Sequence, residues 1–367
     1  MKLPRITSAL TISLLLSITA YAEDGKVKMH VINVGQAESI LLELPNHAVL
    51  IDAGGEDTER DKPLRSGSFY RKKLLEYLDQ FFKDNPNLER TFDAVIISHP
   101  HKDHTKYLQF IVDNYKFKHL IEGGQPDWER NSGWRELKYA REVAQSRGIP
   151  RIEVKYNTVN SPQLLAWTSA IEAASGVKIR FLSGRRSCND ANNESLVMRV
   201  DYGQRSILLT GDSEVNDEKF GHPEDKGCGG QLPFLLFRYK NDLSILDVDV
   251  YKVGHHGSRN GTYDKFLQAV KPEYAVMSAG YYRDQSPDGY HGYQFGHPNE
   301  TLVKLLEDFV SGNRPQPATV FTMNGPYSLR KNRTVTKNIY CTCWNTKALI
   351  VTLNQDNTPI TITEEHE

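Results

Sequence analysis

Ser98-His99-Pro100-His101-Lys102-Asp103-His104 sets four metal-ligating side chains within six residues, directly after the apolar run Ala94-Val95-Ile96-Ile97. Imidazole nitrogens and carboxylate oxygens suit borderline divalent ions, zinc first, with manganese or iron as alternatives. Two histidines one residue apart on an extended segment project to one side and can share an ion. Asp103 and His104, at the start of the next helix, can turn toward a second ion beside it. Strand-to-helix loops are also where α/β sheets place their sites. Isolated histidines such as His30, His47, His119 and His222 have no comparable setting and read as structural or surface residues.

A dinuclear site needs ligands from elsewhere in the chain, and two further stretches offer them. Ile207-Leu208-Leu209-Thr210-Gly211-Asp212 is an apolar strand ending in a carboxylate, and Val253-Gly254-His255-His256-Gly257-Ser258 is an apolar strand ending in two imidazoles. Taken alone, Gly211-Asp212 reads as an ordinary β-turn and His255-His256 as the start of a capped helix. Beside the histidine cluster both fit ligand loops, with either histidine of the pair free to bind metal and the other to stand behind it or meet substrate. Gly296-His297-Pro298-Asn299 carries one more imidazole, in a stretch that also reads as a turn capping a following helix.

Around these stretches the chain alternates strands and helices. Val27–Ile32, Ile40–Leu44 and Ala48–Asp52 read as strands, with Pro45-Asn46-His47 as the turn between the last two. Residues 56–71 are charged and read as an exposed loop, and apolar spacing at Leu74, Leu75, Leu78 and Phe81 predicts a helix. Strands are expected at 152–154, 178–181, 196–200, 207–210, 248–253 and 274–277, and helices near 263–270 and 302–309. The tail from Ala318 to Thr363 reads as β-hairpins, turning at Asn324-Gly325-Pro326 and Asn354-Gln355-Asp356-Asn357. The expected class is a mixed α/β layer structure. Its expected division is a leader at 1–22, a catalytic domain at 23–315 and a β-rich C-terminal extension at 316–367.

With these residues in order, the sequence resembles the metallo-β-lactamase superfamily, whose signature is H-x-H-x-D-H. Val34-Gly35-Gln36, Leu50-Ile51-Asp52-Ala53-Gly54, Asn192-Asn193-Glu194-Ser195-Leu196-Val197, Thr210-Gly211-Asp212, Gly254-His255-His256-Gly257-Ser258 and Gly296-His297-Pro298 together resemble the metallo-hydrolase domain of ComEC-type competence proteins. The resemblance implies an αββα four-layer sandwich. It also implies that His99 and His101 hold a first metal, that Asp103, His104 and a histidine of the 255/256 pair hold a second, and that Asp212 bridges them. The chain departs from the pattern in three places. Ala37-Glu38 stands where the branch usually has Gly-Asp, Thr105-Lys106 replaces small residues, and no histidine lies between His119 and His222 to complete the first metal site. Asn193 or water is the expected substitute there.

The chemistry expected of such a centre is hydrolysis by a metal-bound hydroxide. Asp103 and Asp212 would balance ion charge, and Asp212 would orient the nucleophile. His297 or the non-ligand member of the His255/His256 pair, His256 among the catalytic candidates, would protonate the leaving group. Asp52, Asn193 and Ser258 are candidates for contacts behind the ligands or to substrate. The branch resemblance points to small-molecule or nucleic-acid-like phosphodiesters. The competing readings are a β-lactam, ester or other amide hydrolase, and a non-catalytic binding or scaffold protein using the β-rich tail. The loop Tyr281–Phe295, rich in tyrosine and glycine, reads as a surface loop with a second possibility at the pocket mouth.

Composition limits the partners. Lys and Arg total 45 against 46 Asp and Glu, which lacks the broad basic surface of a tight, non-specific DNA binder. The start Met1-Lys2-Leu3-Pro4-Arg5, the apolar run Ile6–Ala20 and the ending Ala20-Tyr21-Ala22 match a secretory leader cleaved after about Ala22. A periplasmic or secreted protein without stable membrane insertion is expected. Four cysteines, Cys188, Cys228, Cys341 and Cys343, suit disulfides in an exported chain. Cys188–Cys228 is the favoured pair, because a Cys341–Cys343 bridge would close a very small, strained ring.

Overall fold

A computed structural model describes residues 25–56, 67–126, 133–188, 190–216, 229–280, 292–344, 346–356 and 358–366. The leader, His222, Cys228 and most of the 281–295 loop lie outside the described residues.

Two sheets organise the chain. The larger has eight strands in the order Thr361–Glu365, Ala348–Asn354, Lys26–Ile32, Ile40–Leu44, His47–Ile51, Ala94–Ile96, Leu120–Glu122 and Arg151–Glu153. Pairing is antiparallel through His47–Ile51 and parallel beyond it. The smaller has six strands, ordered Ile339–Cys341, Tyr274–Met277, Val250–Lys252, Arg205–Leu209, Val197–Tyr202 and Lys178–Ser183. Its first four run parallel and its last two pairings are antiparallel.

Alternation along the strands divides the apolar residues among three buried layers. Ile40, Leu42, Val49, Ile51, Ala94 and Ile96 of the larger sheet pack against Ile179, Phe181, Met198, Ile207, Leu209 and Val276 of the smaller. The opposite face of the larger sheet, with Leu41, Leu50 and Val95, packs on helices Gly67–Asp84, Leu108–Asn114 and Trp134–Ser146. The opposite face of the smaller sheet, with Leu208, Tyr251 and Ala275, packs on helices Gln231–Arg238, Asp264–Val270 and Glu300–Phe309. Helix, sheet, sheet, helix is the αββα sandwich. Sequence period predicts the helices at 264–270 and 300–309 to within a few residues, whereas the helix expected around Leu74 to Phe81 begins at Gly67, inside the stretch read as an exposed loop.

The β-rich C-terminal part is woven into this frame. Ala348–Asn354 pairs with Lys26–Ile32 over seven residue pairs, and Ile339–Cys341 forms an edge of the smaller sheet. Of the described C-terminal strands, the hairpin Asn313–Thr322/Lys331–Lys337 stands apart as a two-stranded sheet. The reading of the cysteines needs one correction. Cys341 and Cys343, disfavoured above as partners, are bonded to each other, with their Cα atoms 5.1 Å apart, a separation inside the range disulfides span. The favoured Cys188–Cys228 pairing lies outside the described residues at its Cys228 end.

Candidate metal centre

Parallel strands from both sheets run to the same rim, and their loops carry the chemistry there. After Ala94–Ile96 come Ser98 to His104; after Arg205–Leu209, Gly211 and Asp212; after Val250–Lys252, Gly254 to Ser258; after Tyr274–Met277, Ser278. The turn at Asp52 anchors the first of these loops. Asp52 is fully buried, and its carboxylate accepts the Ser98 N–H at 2.7 Å, the Ser98 hydroxyl at 2.6 Å and the His104 Nδ1–H at 2.7 Å. Gly54 follows because the chain leaves no space: a Cβ there would lie 1.6 Å from the Asp103 carbonyl oxygen.

His104 and His256 come from different sheets and face each other across the rim. His104 Nδ1 is committed to Asp52, and His256 Nδ1 donates to the Ser278 carbonyl at 2.8 Å. In the neutral rings this leaves lone pairs on both Nε2 atoms, which stand 3.3 Å apart. Asp212 Oδ1 is 3.2 Å from His104 Nε2, while Asp212 Oδ2 and Asp103 Oδ2 are each 3.3 Å from His256 Nε2. Ligand atoms of Asp103, His104, Asp212 and His256 all lie within 4.8 Å of one another. Asp212 Oδ1 is buried without an aligned hydrogen bond. Lone pairs and carboxylates converging in a buried pocket are what a divalent cation satisfies, so this donor set fits one.

The electrostatics agree. Burial pushes the Asp212 carboxyl up, but His104 and His256 outweigh it and hold Asp212 well below its usual range. Asp103 is likewise held low against burial by His256 and His104. Burial lowers His256, yet Asp212 and Asp103 overcome it and raise the imidazole to about 10. The carboxylates thus draw a proton to the atom where a cation would bind.

His99 and His101 lie beside this group. His99 Nε2 is 3.1 Å from His101 Nδ1 and 3.9 Å from Asp212 Oδ2. Burial, then the neighbouring His104 and His101, push His99 well below its usual value, so it stays a neutral donor. Among the described residues no group as tight as the first surrounds this pair. Asn193 is fully buried and spent elsewhere: its oxygen accepts the Gln231 and Glu214 N–H groups at 2.7 and 3.2 Å, and its amide donates to Asp190 at 2.7 Å. It braces the loop behind Asp212. Ser258 donates to Asn260 at 2.8 Å.

Backbone conformation sends the two histidines of the 255/256 pair in different directions. Both residues are left-handed, with φ of 47° and 52°, a strained state for side chains with a Cβ and one that concentrates at functional sites. The twist sends His256 into the pocket and His255 to Glu214, whose Oε2 is 2.7 Å from His255 Nδ1. Asn260 holds the same oxygen at 2.7 Å.

His297 is at the rim as well, its ring stacked on His256 with centroids 6.4 Å apart. The helix after it is capped by Asn299, which accepts the Thr301 N–H at 3.0 Å, so capping does not occupy His297. Gln36 sets its tautomer. The Gly280 N–H donates to Gln36 Oε1 at 3.0 Å, which turns the amide nitrogen toward His297 Nδ1 at 2.9 Å. Nδ1 is therefore the acceptor, and Nε2 carries the proton. His30, His47 and His119 bond to Glu43, Asp93 and the Asp93 carbonyl, away from the rim.

Nothing in the sequence marks Ser278 or Glu214 for the site: Ser278 contributes a backbone atom, and Glu214 sits in a stretch with no ligand pattern. Gln36 is a motif position whose role only the fold reveals.

A family model described as the metallo-β-lactamase superfamily matches residues 32–162, which include the histidine cluster and the Asp52 turn on which the rim is built. Over these residues the chain is similar to the metallo-β-lactamase superfamily. Two larger proteins are similar to it over a longer stretch. ComE operon protein 3 of Bacillus subtilis is 27% identical over 296 residues, covering 78% of this chain and 31% of that protein. Recombination protein 2 of Haemophilus influenzae is 25% identical over 251 residues, covering 68% and 24%. The chain thus spans less than a third of the length of either relative. Among solved structures, the metallo-β-lactamase fold protein YhfI from Bacillus subtilis is 14% identical with a TM-score of 0.40, covering 78% of this chain and 94% of that one.

Proposed function

We propose that the chain is an exported, metal-dependent hydrolase of phosphodiester bonds in small-molecule or nucleic-acid-like substrates. The observation that carries the reading is the convergence of Asp103, His104, Asp212 and His256 from both sheets into one buried pocket, with His99 and His101 alongside. The first four would hold one cation, and His99 and His101 with Asp212 a second, zinc being the ion this donor set suits best. Bound divalent ions supply Lewis-acid activation of water and positive charge against an anionic ester.

The chain's own groups do the rest. Asp52 orients His104, and the Ser278 carbonyl orients His256. His297 presents an Nε2–H donor to a substrate oxygen. His255, backed by Glu214, is placed to pass a proton to the leaving oxygen. Support for the phosphodiester class comes from the similarity to competence and recombination proteins, and for export from the leader pattern at 1–22. No helix among the described residues is long and apolar enough to cross a membrane.

Mature chain beginning at Glu23, assayed for metal by elemental analysis and for turnover of a phosphodiester against a β-lactam, tests the proposal. Two metals per chain are expected, with phosphodiester cleavage falling by at least about 100-fold in His101→Ala and Asp212→Ala. Preferential β-lactam turnover would replace the substrate class. A metal-free, inert wild type would leave a scaffold protein.

A further inference from the structure

Lys252 ends a central strand of the smaller sheet and is fully buried, its ammonium paired with the buried carboxylate of Glu38 from the larger sheet's side. Taking two charges out of water is costly, and apolar replacements of such pairs are often at least as stable. Stability alone therefore does not account for the pair, but the attachments at its two ends do.

Glu38 is tied to one half of the rim. Its N–H donates to the Asp103 carbonyl at 3.0 Å, and its carbonyl accepts the Gly54 N–H at 2.9 Å. Its carboxylate lies within 4.8 Å of ligating atoms of Asp52 and His104. Lys252 is tied to the other half. Its carbonyl accepts the Thr210 hydroxyl at 2.9 Å, two residues before Asp212, and its ammonium donates to the Val253 carbonyl at 3.1 Å, three residues before His256. Every loop that feeds the tight group thus connects to one member of the pair. Apolar contacts between sheets are non-directional and tolerate sliding, whereas two buried opposite charges in direct contact resist being drawn apart.

We infer that the Lys252–Glu38 ion pair is an inter-sheet tie that sets the spacing between the two halves of the metal centre, making both side chains positioning residues for cation binding. The inference rests on the metal reading above. Its test is zinc affinity, measured by competition with a chromophoric chelator, alongside thermal melts of the metal-free protein. Lys252→Met and Glu38→Gln each strand a buried charge and are expected to melt earlier and to bind zinc about 10- to 100-fold more weakly. The double variant removes both charges; its melt is expected to return toward wild type while its zinc affinity stays at least about 10-fold down. A double variant with wild-type affinity would reduce the pair to mutual neutralisation and overturn the inference. If these variants do not fold, Glu38→Asp keeps the charge and shortens the reach, and wild-type affinity there would overturn it equally. Wild-type protein that takes up no zinc or other divalent ion would sink the metal reading itself, and the tie with it.

Discussion

Gln36 shows how a single side chain can fix chemistry without touching a reacting atom. Its amide is oriented by a backbone N–H and in turn dictates which nitrogen of His297 carries the proton. Gln36→Leu keeps the volume and removes both bonds. Turnover is expected to fall by about 10- to 100-fold with metal content unchanged, read by kcat together with elemental analysis; an unaltered kcat would separate His297 from the reaction. At this scale the sequence is uneven as a guide. His99, His101, Asp103 and His104 are legible because their spacing on a strand-to-helix turn aims them by local geometry alone. The choice of His256 over His255 is not, because two successive left-handed residues reverse the ordinary alternation of side chains, and nothing in Gly-His-His-Gly announces that twist. Asn193 misleads for a related reason. It sits in the right loop, but its amide is consumed by backbone groups that come from distant residues.

Among elements, the strand Ala348–Asn354 matters most for its position. It lies between Thr361–Glu365 and Lys26–Ile32, so the first strand of the described chain has this late strand as one of its two neighbours. Leu349, Val351 and Leu353 belong to the layer between the sheets. A chain ended at residue 345 would expose that layer along a long strand edge. It is expected to be insoluble or to lose its cooperative melt, as seen by circular dichroism and calorimetry. A truncated chain that melts like the whole would make the C-terminal part a dispensable appendage. The strands and helices themselves are legible, because alternation and helical period are local signals. Their partners are not, since register between residues 26–32 and 348–354 is set by burial across the folded core, far beyond any sequence window.

For the molecule as a whole, the rim concentrates Glu38, Asp52, Asp103 and Asp212 around imidazoles that face one another. A cation there would take the place of the protons that these carboxylates draw onto His104 and His256. Ligand binding to the native state alone stabilises by about 2.7 kcal/mol at a concentration 100-fold above Kd. Stripping metal with a chelator is expected to lower the melting midpoint by roughly 5 °C, and adding zinc back to restore it. An unchanged midpoint under both treatments would mean that the fold does not sense the ion.

His104 and His256 are 152 residues apart in sequence and meet only when both sheets are stacked. A chain that has folded only one sheet therefore brings together Asp103 and His104, or Asp212 and His256, but never all four ligand atoms at once.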